Sequence, residues 1–312
     1  MRIWRTWSVT LPALLCAIAL AACGSKSSSS SSSSSTAASG SSGSATTSSS
    51  ASANASISSL VPAAVKSKGT LTVAADASYA PNEFIGSDGH TVVGMDADLS
   101  KALGALMGLK VNVVNATFDT IIPGLAAGKY DMGASSFTDT KEREKTVDFV
   151  DYFIAGESFF SKATGGTTIS SIADICGKTV AVEKGTTEEA DAGTQSKKCK
   201  QAGKPAVTVL SFSDQNGANL ALNSGRAQLG FADSPVAAYQ VKQSNGQFKL
   251  VGASYANAPY GLALPKNGMD KAVLAGLQEL MKNGQYTQIL TKWGIQSGAI
   301  PASQMKINGA TS

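Results

Sequence analysis

From about residue 66 onward, short runs of β-branched and apolar residues alternate with longer stretches in which apolar residues return every three or four positions. Compact apolar runs bounded by Gly, Asn, Asp or Pro predict strands, and an apolar stripe at helical spacing predicts a helix. Strands are predicted at Thr70–Ala74, Lys110–Val114, Met132–Ala134, Phe159–Lys162, Lys178–Val182, Ala206–Leu210, Gln228–Phe231, Lys249–Val251 and Tyr260–Leu264. A helix over Asp96–Met107 places Leu99, Leu103 and Leu106 on one face, and Asp96 and Asp98 suit its positive N-terminal end. Thr186–Gln201, Gln215–Asn223, Pro235–Gln243 and Asp270–Asn283 also read as helices, with a shorter one at Gln285–Trp293. Strands alternating with helices are the pattern of α/β architecture. The folded length suits two lobes better than one barrel. A first crossing between lobes is expected near 155–163. A second is expected near 256–262, because the last two helices need a sheet to cover.

The residues before this region follow neither period. Arg2 and Arg5 precede an apolar run, Val9 to Ala22, broken only by Thr10 and Pro12. It falls short of the roughly 20 residues a membrane-spanning helix needs and suits the core of a secretory leader. Residues 1–22 are therefore expected to be a signal peptide. Leu20-Ala21-Ala22-Cys23-Gly24 resembles a bacterial lipobox, which implies cleavage before Cys23 and acylation of that cysteine as a membrane anchor. In the stretch 25–59, 21 of 35 residues are Ser and most others are Ala, Gly or Thr, too little to bury a core. Residues 23–60 are thus expected to be a lipidated cysteine followed by a disordered linker. Cys16 leaves with the leader, so Cys176 and Cys199 remain as an even pair in an exported domain. That favours a disulfide, contributing about 3 kcal/mol by loop closure. No CxxC and no neighbouring His activates either sulfur.

Composition removes several function classes. Lys and Arg total 26 against 22 Asp and Glu, a net charge of +4, which lacks the basic footprint of a nucleic-acid binder. The single histidine, His90, excludes two-His zinc motifs and any triad not built on it, and beside Asp88-Gly89 it reads as a surface-turn residue. Cys176-Gly177-Lys178-Thr179 ends like a phosphate loop but has Ile172 where the upstream glycine is required. Asp96 and Asp98 lack a Gly-centred calcium loop and read as helix-start acids. No metal and no cofactor is expected. Arginine is scarce: outside the leader only Arg143 and Arg226 occur. A guanidinium suits bidentate grip on a planar carboxylate. Arg143 follows the small-polar stretch Ser135 to Asp139 at the C-terminal end of a predicted strand, where open α/β sheets bind ligands. On composition alone a solvated helix residue within Lys141 to Lys145 is the competing reading.

A series of short motifs bears on that choice. Gly69-Thr70-Leu71-Thr72-Val73 with Asp76, Tyr79, Pro81, Glu83 and Phe84, followed by Val93 to Leu99, resembles the opening of the polar-amino-acid solute-binding proteins of ABC importers (family 3). Phe118 to Leu125, Gly128 to Asp131, Thr138 through Arg143, Gly177 to Val182, Gly185-Thr186-Thr187, Ala232 to Tyr239 and Tyr260 to Lys266 continue the resemblance in order across 66–295. It implies a periplasmic-binding-protein-like type II fold: two Rossmann-like lobes joined by a strand hinge. Lobe 1 would comprise 66–158 plus 260–312 and lobe 2 159–259.

The same resemblance implies that Arg143 holds a ligand α-carboxylate, helped by Ser136, Thr138 and Thr187, while Asp233 takes the α-ammonium. Asp76 would face the side-chain end, and Tyr79 and Phe118 would pack around the ligand. Two departures stand out. Asn82 replaces an aromatic common among relatives, removing one wall of the pocket. Glu183 occupies a pocket-edge position that is cationic in glutamine-binding relatives; facing inward with Asp76 it favours a cationic side chain, whereas facing solvent it does nothing. The expectation is a monomeric, lipid-anchored, extracytoplasmic receptor that passes an amino acid, polar or basic, to an ABC permease and its ATPase, and not an enzyme. A ligand-sensing receptor or an enzyme on the same bilobal scaffold are the alternatives.

Overall fold

A computed structural model describes residues 53–310. The expected signal peptide, Cys23 and most of the Ser-rich segment lie outside the described residues. Asn54 caps helix α1 (Ala55–Leu60), accepting from the N–H groups of Ser56 and Ile57, and Ile57 is buried. Helix α2 (Ala63–Lys68) ends on Gly69, whose left-handed φ of 67° turns the chain into strand β1 (Thr70–Ala75). Three very short strands, β2 (Ser78–Tyr79), β3 (Glu83–Ile85) and β4 (Val92–Val93), form a small antiparallel sheet beside the main one. Helix α3 (Met95–Met107) buries Leu99, Leu103 and Leu106 as its spacing requires. Strand β5 (Lys110–Asn115) returns parallel to β1, helix α4 (Phe118–Ala126) follows, and β6 (Met132–Thr138) pairs with the other edge of β1. A single 3₁₀ turn at Arg143–Lys145 leads into the long strand β7 (Asp148–Lys162).

The second half repeats the alternation with β8 (Thr179–Glu183), α5 (Thr187–Gln201), β9 (Thr208–Phe212), α6 (Gln215–Asn223), β10 (Leu229–Asp233) and α7 (Ser234–Gln243). The long strand β11 (Phe248–Leu264) then carries the chain back to α8 (Met269–Lys282) and α9 (Gln285–Trp293). The strand order is β5-β1-β6-β11-β7-β10-β8-β9. Antiparallel β7 and β11 run through both halves. At one end β11 lies between β6 and β7, and at the other β7 lies between β11 and β10. Their register slips between Val251 and Tyr255 and again between Tyr255 and Ala258. Two main cores flank these slips. One holds Leu71, Leu99, Tyr152 and Leu277, the other Phe159, Val180, Leu229 and Phe231. The fold is α/β, with two lobes joined by a pair of strands.

The disulfide Cys176–Cys199 forms, with its Cα atoms 5.6 Å apart, tying the approach to β8 to the last turn of α5. Three expectations need correction. The disordered linker does not extend to residue 60: α1 is folded, because Ile57 and Val61 give this Ser-rich segment enough apolar surface to join the lobe-1 core. The strands predicted separately at Lys249–Val251 and Tyr260–Leu264 are the two ends of β11, which continues through polar residues because β7 supplies its partners. Helix α4 was not predicted, since Pro123 sits within it and removes one backbone donor.

Candidate functional site

The C-terminal ends of β1 and β6 in lobe 1 face those of β8 and β10 in lobe 2, as expected for ligand sites in α/β sheets. Between them lies a narrow cavity of about 10 Å³. All nine residues singled out from the sequence line it: Asp76, Tyr79, Phe118, Ser136, Thr138 and Arg143 from lobe 1, and Glu183, Thr187 and Asp233 from lobe 2.

Arg143 stands on the 3₁₀ turn after β6. Its Nη1 donates to the Thr138 carbonyl at 2.8 Å, and its Nη2 donates across the cleft to the Gly185 carbonyl at 3.0 Å. The guanidinium carbon lies 5.4 Å from the ring centroid of Phe118 and 5.6 Å from that of Phe137, two rings that stack on each other. Such a platform holds the cation in place while leaving part of its donor set directed at the cavity. Burial pushes its pKa down, and Glu188, Asp233 and Asp139 pull it back up.

Asp233 ends β10 on the opposite lobe. Its Oδ2 accepts from the Tyr79 hydroxyl at 3.1 Å, while its N–H donates to the same Tyr79 oxygen at 3.0 Å. Burial, reinforced by Glu188, pushes the Asp233 carboxyl well above its ordinary range. Asp76 follows β1 and accepts from the Ser78 hydroxyl at 2.6 Å and the Phe118 N–H at 3.0 Å. Burial raises it, and those two donors oppose the rise. Thr138 and Thr187 bring their hydroxyls 3.5 Å apart across the lobes.

Glu183, at the end of β8, is buried and turns into the cavity rather than to solvent. Burial pushes its carboxyl well above the usual range, and the charge of nearby Asp76 adds to the effect. The lobes also meet outside the cavity, where Lys184 pairs with Asp119 at 2.8 Å and the Gln215 N–H donates to Ser78 Oγ at 2.9 Å. The cleft is closed.

Four lining residues went unassigned in the sequence reading: Glu83, Ser135, Thr186 and Glu188. Glu188, beside Glu189 in the first turn of α5, has the sequence signature of a helix-start acid, yet its side chain is buried. Asn82 lines no pocket wall, as its departure from the aromatic of relatives implies, and is buried with its Nδ2 donating to Ser136 Oγ at 2.9 Å. Asp96 is likewise more than a helix-start acid, being buried and hydrogen-bonded to Ser136 and Tyr152. Asp76, Glu83, Glu183, Glu188 and Asp233 thus place five carboxyls around the cavity against the single guanidinium of Arg143. That balance favours a ligand carrying more positive than negative charge.

Known proteins share this arrangement of sequence and fold. The arginine-binding protein ArgT of Corynebacterium glutamicum is 37% identical over 246 residues, covering 78% of this chain and 80% of that protein. Two solved structures of an ancestral arginine-binding protein also match. The one bound to arginine does so with a TM-score of 0.66 at 38% identity, over 72% of this chain and 98% of that one. The one bound to glutamine has a TM-score of 0.65 at 37% identity, over 73% and 98%. The model of the bacterial extracellular solute-binding proteins, family 3, matches residues 71–296, the span that holds both lobes, both connecting strands and every lining residue of the cleft. The chain belongs to that family of binding proteins.

Proposed function

We propose that this protein is a monomeric extracytoplasmic receptor for an amino acid with a cationic side chain, of the arginine class, which it delivers to an ABC permease driven by an ATPase. An acylated Cys23 would anchor it to the membrane, with the Ser-rich segment as a leash. One observation carries the reading: a closed cavity between two lobes holds one guanidinium and five carboxyls. Arg143 takes the α-carboxylate with Ser136, Thr138 and Thr187. Asp233 takes the α-ammonium, and Asp76 with Glu183 takes the cationic end of the side chain, between the rings of Tyr79 and Phe118. A ligand touching both lobes binds the closed form more tightly than the open one and so shifts the population toward closure. The arginine named for ArgT and for the ancestral protein fits this charge arrangement.

A second reading is a neutral amide side chain, favoured by the raised Asp76 and Glu183 carboxyls, which when protonated donate to an amide oxygen. Thermal unfolding against the twenty amino acids plus ornithine and citrulline separates the two. A true ligand at 100 times its Kd adds about 2.7 kcal/mol, a rise of roughly 5–10 °C. Arginine, lysine or ornithine should give the largest rise and glutamate none. A cationic ligand should also expel protons from Asp76 and Glu183, so its affinity should strengthen as pH rises from 5 to 8, whereas an amide ligand should show the opposite trend. A rise with acidic or purely apolar amino acids alone would overturn the proposal.

A further inference from the structure

Strand β6 is interrupted inside lobe 1. It is in register with β11 at Gly133, opposite Ala263, and again at Phe137 and Thr138, opposite Gly261 and Tyr260. The extra residues on β6 bulge out. Among them Ser136 has a φ of 50°, in the left-handed region that side chains seldom adopt. Its N–H, turned out of the ladder, donates to Asp96 Oδ2 at 2.7 Å. Its hydroxyl lies 3.2 Å from both Asp96 Oδ2 and Glu83 Oε2, and accepts from Asn82 Nδ2. The Ser135 hydroxyl donates to Glu83 Oε1 at 3.1 Å and accepts the Asp76 N–H at 2.8 Å. Asp96 Oδ1 accepts from the Tyr152 hydroxyl at 2.6 Å.

Glu83 and Asp96 are both fully buried, and an oxygen of each lies within hydrogen-bond distance of the Ser136 hydroxyl. Burial, with the Asp96 charge beside it, pushes the Glu83 carboxyl well above its ordinary range. Asp96 is raised by burial, and the Tyr152 and Ser136 donors oppose the rise. The other titratable groups facing the pair are Asp76, beyond β1, and Tyr152 on β7; Asn82, Ser135 and Ser136 are neutral.

We propose that Glu83 and Asp96 are positioning residues: a pair of buried acids that clamps the β6 bulge so that Ser136 and Thr138 meet the ligand's amino-acid moiety. This rests on the amino-acid-binding reading above. Without the clamp, the Ser136 N–H would be buried unpaired in a conformation serine disfavours, and the bulge would relax away from the cavity. Glutamine at 83 still bonds the Ser135 and Ser136 hydroxyls, whereas alanine does not. Glycine at 136 adopts a positive φ without support.

Calorimetric titration with L-arginine of Glu83→Ala, Glu83→Gln and the double variant Glu83→Ala with Ser136→Gly tests the clamp. The alanine variant should bind about 10- to 100-fold more weakly. The glutamine variant should stay within about threefold of wild type, and the double variant should recover part of the alanine loss. Should the alanine variant not melt cooperatively, the glutamine variant decides. Undiminished binding by Glu83→Ala, or Glu83→Gln binding more than about tenfold weaker than wild type, would overturn the clamp. A wild-type protein that binds no amino acid overturns the functional reading instead.

Discussion

The two walls of the cleft are built differently. On lobe 1 the polar side chains are already held: Asp76 by Ser78 and the Phe118 N–H, Ser136 by Asp96 and Asn82, and Arg143 by the Thr138 carbonyl and a stacked pair of rings. On lobe 2 the acids are less well provided for. Among the cavity-lining side chains, the buried oxygens without a hydrogen-bond partner are Glu183 Oε1 and Glu188 Oε1, both on that lobe. A prearranged wall loses little on receiving a ligand, whereas an under-satisfied one gains most when a cationic group arrives.

The largest effect should come from removing the proposed lobe-1 anchor. In the proposed binding mode Arg143→Ala leaves the ligand carboxylate without its partner and should weaken binding about 100-fold or more, while melting of the ligand-free protein changes little. Retained affinity in calorimetry would break the contrast between the walls. Closure itself is exposed at Gly185. This residue has a φ of 82°, and a Cβ there would lie 2.9 Å from the Asp119 Cβ on the opposite lobe. Gly185→Ala therefore strains the closed form by about 1–2 kcal/mol, which should appear as roughly a tenfold rise in Kd. Small-angle scattering of the liganded variant should show a more open molecule at equal saturation.

The smallest effects are on stability, and they should have opposite signs. Asp76→Asn removes an acceptor from a satisfied pair of hydrogen bonds and should cost about 1 kcal/mol in ligand-free unfolding. Glu183→Gln removes an unsatisfied buried acid and should stabilise the ligand-free protein by about 1 kcal/mol at neutral pH and above. The sign follows from the raised Glu183 carboxyl. Between its ordinary and its raised pKa the folded state binds more protons than the unfolded state, so wild-type stability falls as pH rises through that window. The advantage of the glutamine variant should therefore grow with pH. Chemical denaturation at pH 5 and pH 8 measures both signs, and equal shifts for the two variants would erase the proposed difference between lobes.

Legibility varied with the range of the interaction involved. Helix α3 announced its buried face through Leu99, Leu103 and Leu106, and the scarcity of arginine together with the motif order singled out Arg143. Each of these is a local signal. Glu83 and Glu188 gave none, because an isolated acid in a loop or a first helical turn looks the same whether solvent or a second lobe covers it. Helix α1 was hidden for a related reason, since a single buried Ile57 within a Ser-rich stretch finds its partners only in distant helices.

By itself, the sequence determined the alternation of strands and helices and the pair of cysteines that bond, which follow from periodicity and functional-group chemistry that neighbouring residues carry; the charged residues matched to a zwitterion were implied by the resemblance to family 3. Only the tertiary structure decided that β7 and β11 run unbroken through both lobes, that Glu183 faces inward, and that Asp96 is spent on holding Ser136. Each of these depends on desolvation and on partners from elements far apart in the chain, and burial of that kind is a property of the packed whole.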